Sequence, residues 1–180
     1  MLVLGASGGV GTYAVQIANA LGGIVTGVAS SDKLDLVRPL GATRVIDYRN
    51  DDPLAERGRY DVIIDTGGNR RLRDLRRALT PTGTLVIVGG ENGGRWLGGT
   101  DRQIRAKLTS LVTRQRLTTF VAREDAGHLE RLADLVETGQ VTPAVDRRFV
   151  LAAAADAIAH LESGRTRGKI AIDISAEESR

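Results

Sequence analysis

Short apolar runs alternate with stretches of helical periodicity along the whole chain. The first run, Leu2 to Gly5, is followed by Val10, Ala14, Ile17 and Leu21, whose spacing predicts a helix over Val10 to Leu21 with one apolar face. Gly22-Gly23 stops it, and Ile24 to Ala29 reads as a second strand. A second helix is expected from the capping pair Ser31-Asp32 to Leu40-Gly41, then a third strand, Arg44 to Tyr48. The polar stretch around Pro53 predicts one short helix. Strand four is Tyr60 to Thr66, and its Val62-Ile63-Ile64 run is expected to be covered on both faces. An arginine-rich helix over 69–77 carries Leu72, Leu75 and Leu79 as its apolar stripe. A turn at Thr80-Pro81-Thr82-Gly83 leads into strand five, Thr84 to Val88.

The pattern continues more loosely. The glycine-rich Gly89 to Gly99 reads as a loop passing close to ligand or backbone, or as a plain surface loop. A helix over Asp101 to Arg114, strand six over Arg116 to Val121 and a helix over Glu124 to Thr138 follow, with Leu129, Leu132 and Val136 of the last expected inward. The end changes character: an extended Val141 to Val150, a helix from Ala152 to Leu161 and a short strand from Lys169 to Ile174. Alternating strands and helices imply right-handed crossovers and a parallel sheet. The expected fold is α/β, a doubly wound Rossmann sheet of six strands in the order 3-2-1-4-5-6 with a C-terminal extension. Residues 1–140 are expected to form the nucleotide-binding domain and 141–180 a separate C-terminal segment.

The 180 residues suffice for one well-buried core, and 42% hydrophobic with 26% charged residues is the balance of a soluble globular protein. Cysteine is absent and histidine occurs only at 128 and 160, so the expectation is no metal site. No apolar run is long enough to span a bilayer and no basic leader opens the chain, so the expected location is cytoplasmic, away from membranes. The net charge is +3, carried mostly by arginine, with lysine only at 33, 107 and 169. The helix over 69–77 could be a nucleic-acid contact, but aromatics make up only 3% and no reading helix accompanies it, so a solvated face is preferred. His128 and His160 have no serine or carboxylate at triad spacing and read as surface or partly packed residues. Asp65 reads as a turn-fixing residue.

The candidate chemistry lies where the first strand meets the first helix. Ala6-Ser7-Gly8-Gly9-Val10-Gly11 is a G-x-G-x-x-G turn with alanine in the first place. Gly8 lets backbone approach phosphate, and Gly11 lets the helix pack on the sheet. This is the arrangement that holds a dinucleotide pyrophosphate, with Ser7, Gly8, Gly9 and Val10 as its contacts; an S-adenosylmethionine site is the alternative. At the end of strand two, where an NAD site needs a carboxylate, stand Ala29-Ser30-Ser31. Ser30, Ser31 and Lys33 offer donors and a cation to a 2′-phosphate, and Tyr48 could cover the adenine, so NADP is favoured over NAD. Lys33 as an exposed helix residue and Tyr48 as a packed strand end are the plainer readings. Gly67 and Asn69 after strand four, and Val88 and Gly89 after strand five, lie where open sheets bind ligands, and Phe120 could flank the nicotinamide or belong to the core.

Several of these stretches together resemble a known family. They are Val3 to Gly11, Leu40-Gly41-Ala42, Tyr60 to Asp65, Leu79 to Leu85 and Arg167-Gly168-Lys169. They are similar to the medium-chain dehydrogenase/reductase superfamily, and the branch they look most like is the zinc-independent quinone oxidoreductases. The resemblance covers almost the whole chain in order. It implies a hydride transfer from NADPH to a quinone or conjugated carbonyl, with NADPH lined by Gly8, Gly9, Val10, Ser30, Lys33, Tyr48 and Asn69. It also implies a GroES-like catalytic domain before Met1 that the segment from Val141 to Ile174 would complete. Catalytic side chains and any zinc ligands would lie in that part, so none is assigned to this chain. A homodimer through a sheet edge is implied as well. The chain alone is then expected to bind NADPH and turn over poorly. The other reading is a non-catalytic dinucleotide-binding or interaction module.

Overall fold

The computed structural model describes residues 1–88, 114–119 and 125–174. Its first strand, β1 (Leu2–Leu4), is wholly buried because apolar residues face both sides of it. Helix α1 (Gly11–Ala20) crosses back over the sheet to β2 (Thr26–Ala29). A single 3-10 turn, Ser31–Lys33, then leads into a short helix, α2 (Leu34–Val37), and into β3 (Arg44–Asp47). Strand β4 (Tyr60–Asp65), helix α3 (Leu72–Ala78), β5 (Leu79–Ile87) and β6 (Arg116–Thr119) complete the sheet. The six strands are all parallel and run in the order β3-β2-β1-β4-β5-β6, the doubly wound topology expected from the alternation of elements.

Two apolar clusters hold the sheet. On one face Leu2, Leu4, Ile63, Leu75, Leu79 and Leu85 pack together with Leu54 and Tyr60. On the other, Val3, Ala6, Val15, Val25 and Val37 pack with Ala18 and Ala42. The strand that reads as one apolar run thus supplies both layers, since successive side chains point to opposite faces. The C-terminal part is built differently. Helix α4 (Ala126–Glu137), β7 (Val145–Val150), a 3-10 turn, α5 (Ala154–Glu162) and β8 (Lys169–Asp173) follow, and β7 and β8 pair in a two-stranded parallel sheet of their own. Val150, Leu151, Ile158, Leu161 and Ile172 of this unit are exposed.

Five expectations need correcting. The apolar face expected of α1 is not the one it buries: Val10 and Leu21 are exposed and Ala14 and Ile17 only partly covered, while Val15 and Ala18 pack on the sheet, because the close contact of Gly11 with Gly5 and Ala6 turns the side carrying residues 11, 15 and 18 inward. The polar stretch around Pro53 forms turns, not a helix, although Leu54 is buried among the core residues. The capped second helix is only the 3-10 turn and one turn of α-helix, without a side-chain cap, because Asp32 and Ser31 spend their oxygens on tertiary partners. Thr80 to Gly83 stay within β5, where five residues advance against two of β4, so the extra backbone bulges instead of turning. Finally, Leu129 and Val136 of α4 face outward at 66% and 38% exposure, while Leu132 and Leu135 are partly covered. An apolar stripe shows which face seeks cover, not what supplies it. The segments expected over Gly89 to Gly99 and Asp101 to Thr113, and the end of strand six, lie outside the described residues.

Candidate functional site

The carboxyl ends of β1, β2, β3 and β4 open into one cleft of about 680 Å³. Its floor is small-residue backbone: Gly5, Ser7 and Gly8 from the first turn, Ala29 and Ser30 after β2, and Thr66 and Gly67 after β4. The turn has this shape for a steric reason. A methyl group on Gly11 would run into the carbonyl oxygen of Gly5 and come within 2.8 Å of Ala6 Cα, so only glycine lets α1 start this close to β1. Gly8 N–H donates to Gly5 O at 3.0 Å, whereas the N–H groups of Gly9 and Val10 make no hydrogen bond among the described residues. Unpaired N–H groups at the positive end of a helix suit an anion.

Cations crowd one end of the cleft. Lys33, Arg49, Arg70 and Arg165 all line it, against a single lining carboxylate on that side, Asp32. Arg49 Nη1 reaches Asp32 Oδ1 at 3.5 Å. The hydroxyl of Ser30, the peptide of Asp32 itself and the nearby Arg49 and Lys33 hold the Asp32 carboxyl below the usual range. Asp47, closing β3, accepts from the Ser31 hydroxyl, from Arg49 N–H at 3.0 Å and from Asn50 Nδ2 at 2.7 Å. Its pKa is lowered, first by the Ser31 hydroxyl and then by the Arg49 peptide. Both carboxylates near the end of β2 are thus committed to protein partners. Asp65, fully buried, accepts from Gly68 N–H at 3.0 Å and so fixes the turn after β4, as its position suggested.

The C-terminal unit reaches over this same end. Ser163, Gly164 and Arg165 form part of the cleft wall. Lys33 Nζ donates to Gly164 O at 2.7 Å and Thr166 O at 3.0 Å. Arg167 donates to Asp32 O and to Asp35 Oδ2, each at 2.6 Å, and Gly168 N–H donates to Ser7 O at 2.9 Å. Gly168 sits at φ +86°, where a side chain would strike Ala144, so the close pass beneath the turn requires glycine. Lys169 lies over Gly9, and its ammonium is 6.0 Å from the Tyr13 ring centre.

Of the residues the sequence singles out, Ser7, Gly8, Ser30, Lys33, Tyr48, Gly67 and Asn69 share this cleft. Gly9 and Val10 sit in the turn but are not part of the wall, and the Ser31 hydroxyl is turned to Asp47. Val88 donates its N–H to Asp65 O beside the cleft. Gly89 and Phe120 lie outside the described residues. Thr66, beside Gly67 at the end of β4, lines the cleft too, whereas sequence reasoning does not single out Arg49, Arg165 and Lys169. Arg49 could have been suspected beside Tyr48, but Arg165 and Lys169 are over a hundred residues from the turn and no local pattern brings them there. His160 is partly packed, as expected, and its Nε2 is 3.0 Å from Asp146 Oδ2, a carboxylate partner that sequence spacing does not reveal. The arginine helix lines an open recess with Arg114 and Gln115, at the opposite end of the sheet from the cleft.

The cleft fits a dinucleotide, with bare backbone where a diphosphate would lie. The described residues hold no cluster of three metal-binding side chains, and the sequence has no cysteine, so no step through zinc is derived from this chain. Among the described residues, no helix is long and apolar enough to cross a membrane.

Known proteins resemble the chain throughout. It is 33% identical over 190 residues to the mouse mitochondrial NAD(P)H oxidoreductase RTN4IP1, covering 96% of this chain and 47% of that protein. It is 29% identical to the chloroplastic quinone-oxidoreductase QR1 of Triphysaria versicolor, covering 96% and 52%. The structure of a Coxiella burnetii quinone oxidoreductase superposes with a TM-score of 0.78 at 28% identity, over 96% of this chain and 52% of that one. The chain therefore spans about half the length of the relatives it matches. The family described as zinc-binding dehydrogenase matches residues 40–172. With the sheet order, the glycine turn and this match in agreement, the chain belongs to the zinc-binding dehydrogenase family, within the medium-chain dehydrogenase/reductase superfamily.

Proposed function

We propose that this chain is the NADPH-binding part of an oxidoreductase of the quinone reductase type. The observation that carries the reading is the cation cluster at the adenosine end of the cleft. Lys33, Arg49 and Arg165 converge where the chain leaves β2, while Asp47 is taken up by Ser31 and Asn50 and Asp32 is paired with Arg49. A 2′-phosphate brings close to two negative charges and several acceptor oxygens, which Lys33 and Arg165 complement, with Arg49 and the Ser30 hydroxyl joining on exchange from Asp32; a bare ribose diol calls for a free carboxylate instead. The Gly9 and Val10 N–H groups would take the diphosphate, with the Lys169 ammonium beside them.

NADPH, when bound, supplies the hydride, and the electron acceptor is a quinone or conjugated carbonyl, as the names of the relatives suggest. This chain's residues bind and orient the dinucleotide and keep its backbone contacts short. Catalytic side chains are not assigned among them. The exposed apolar surface of the β7–β8 unit would be covered by a GroES-like domain that completes the substrate side, and the edge strand β6 is where a homodimer would pair. On this reading the 180-residue chain binds NADPH but reduces quinones slowly. The non-catalytic module shares the same cleft and differs only in having no acceptor at all; quinone-dependent NADPH oxidation on adding a GroES-like domain decides against it. Cell fractionation tests the cytoplasmic location, since the two named curated relatives carry mitochondrial and chloroplastic names.

Calorimetric titration with NADPH and NADH tests the cofactor assignment. NADPH should bind the wild type more tightly, and Lys33→Ala should remove about tenfold of that preference, the worth of one charge-assisted hydrogen bond. An unchanged preference in the variant overturns the 2′-phosphate site.

A further inference from the structure

The ammonium of Lys33 does not stand free in the cleft. Two of its three protons are held by the carbonyl oxygens of Gly164 and Thr166, which leaves one N–H to aim at a ligand. The direction of that N–H is therefore set by the shape of the strap 163–168, not by the flexible lysine stem. The strap in turn is folded around one residue. The His160 carbonyl accepts from Ser163 Oγ at 2.6 Å and from Thr166 Oγ1 at 3.4 Å. The His160 ring meets Asp146 Oδ2 at 3.0 Å, and the same oxygen accepts the peptide N–H of Arg167 at 3.2 Å. Both side chains are largely buried, at 15% and 17% exposure, and the Phe149 ring lies 6.4 Å from the imidazole. Ser163 donates to the backbone of His160 and not to its ring, so the three residues are no hydrolytic triad.

We infer that Asp146 and His160 are positioning residues for the cofactor: through the strap they fix Lys33 and Arg165 in the geometry that grips a 2′-phosphate. This rests on the NADPH reading above and adds to it a pair of residues that do not touch the ligand. The Asp146 carboxylate on β7 holds the Arg167 N–H of the strap directly and pins the His160 ring, and with it the turn of α5 whose backbone carbonyl holds Ser163 and Thr166; the Gly164 and Thr166 carbonyls then hold Lys33 after β2. The start of the strap is also continuous with α5 through Ser163 N–H on Ala159 O and Gly164 N–H on Leu161 O, so among the described hydrogen bonds the His160 carbonyl and the Asp146 carboxylate are what hold Thr166 and the Arg167 N–H to the rest of the unit. The far end of the strap has separate anchors, Arg167 on Asp35 and Gly168 on Ser7. Loss of the pair should therefore loosen the strap without detaching it.

The test uses 2′,5′-ADP and 5′-AMP as probes, since they differ only in the 2′-phosphate, bound to the 180-residue chain by calorimetry. Wild type should favour 2′,5′-ADP. His160→Ala should lose about tenfold in affinity for 2′,5′-ADP while binding of 5′-AMP changes less than twofold. His160→Gln, whose amide can still donate to Asp146, should recover most of the loss, and Asp146→Ala should reproduce it. A merely structural role would weaken both probes together and would not be rescued by glutamine; that result overturns the inference. So does an unchanged discrimination in His160→Ala and Asp146→Ala. If the wild type itself does not distinguish the probes, the NADPH assignment fails first and the inference falls with it. Should His160→Ala fold poorly, the comparison is made between His160→Gln and Asp146→Asn. Glutamine keeps the donor and should stay near wild type. Asparagine loses a charged acceptor shared by two donors and should not, and equal behaviour of these two variants refutes the pairing.

Discussion

At the scale of single residues, two glycines separate stability from binding. Gly11 allows helix and strand to touch; Gly67 lies in the cleft wall with nothing within 4 Å of where a methyl group would project. Gly11→Ala forces the first turn apart and should cost about 1–3 kcal/mol of stability, the usual penalty of overpacking. Gly67→Ala should leave the denaturation midpoint within about 0.5 kcal/mol of wild type, as open positions do, yet weaken NADPH by filling the space the dinucleotide needs. Urea unfolding and cofactor titration of both variants check this. If Gly67→Ala binds NADPH as wild type does, the dinucleotide does not lie along that wall.

At the scale of elements, the strongest periodic signals were also the most legible. β1, β4 and the leucines of α3 occupy the positions their patterns gave them, because burial of a regular apolar face dominates their energetics, whereas α1 forms where expected but turns Val15 and Ala18, not Val10 and Leu21, to the sheet. Leu75 is fully buried between α3 and the sheet, and Leu75→Ala should cost about 2–5 kcal/mol, read as a drop in urea midpoint at constant slope. Elements held by tertiary polar contacts were not legible. Ser31 and Asp32 have the chemistry of a helix cap, but Asp47 and Arg49 claim their oxygens, and these partners sit on β3 and just after it. The bulge of β5 depends on register with β4, which Thr80-Pro81-Thr82-Gly83 does not reveal on its own. The site divides the same way. Ser7, Gly8, Ser30 and Lys33 belong to turns whose local backbone shape suits a phosphate, and their place in the cleft could be named in advance. Arg165, Lys169 and the Asp146–His160 pair reach the cleft only by long-range packing.

At the scale of the whole molecule, the two parts of the chain are held by different forces, and acid should tell them apart. The centre of the Rossmann sheet is held by apolar clusters that do not titrate; its own low-pKa carboxylates, Asp47 and Glu56, lie at the end of β3 and in the loop before β4. The C-terminal unit is fastened in part through carboxylates. The Arg167 guanidinium hydrogen-bonds Asp35 and holds its pKa below the ordinary value. Burial works to raise Asp146, but the His160 ring and the Arg167 N–H outweigh it and leave its pKa lowered. A carboxylate with a folded pKa below its unfolded value of about 3.9 stabilises the fold fully above that value, and the contribution drains away as pH falls toward the folded pKa. Acidification below about pH 4 should therefore free the segment from Val145 to Asp173 before the sheet opens. Gln16, clasping the backbone of Thr142 from α1 by two hydrogen bonds of 3.0 and 2.7 Å, does not titrate and should keep the base of the unit attached. Hydrogen exchange at pH 7 and after a pulse at pH 3 reads this directly. Amides of Arg167, Gly168 and Lys169 should lose protection while those of Leu4, Val28 and Ile63 keep it. Simultaneous loss in both sets would mean that the unit is held to the sheet by packing, with its ion pairs as bystanders.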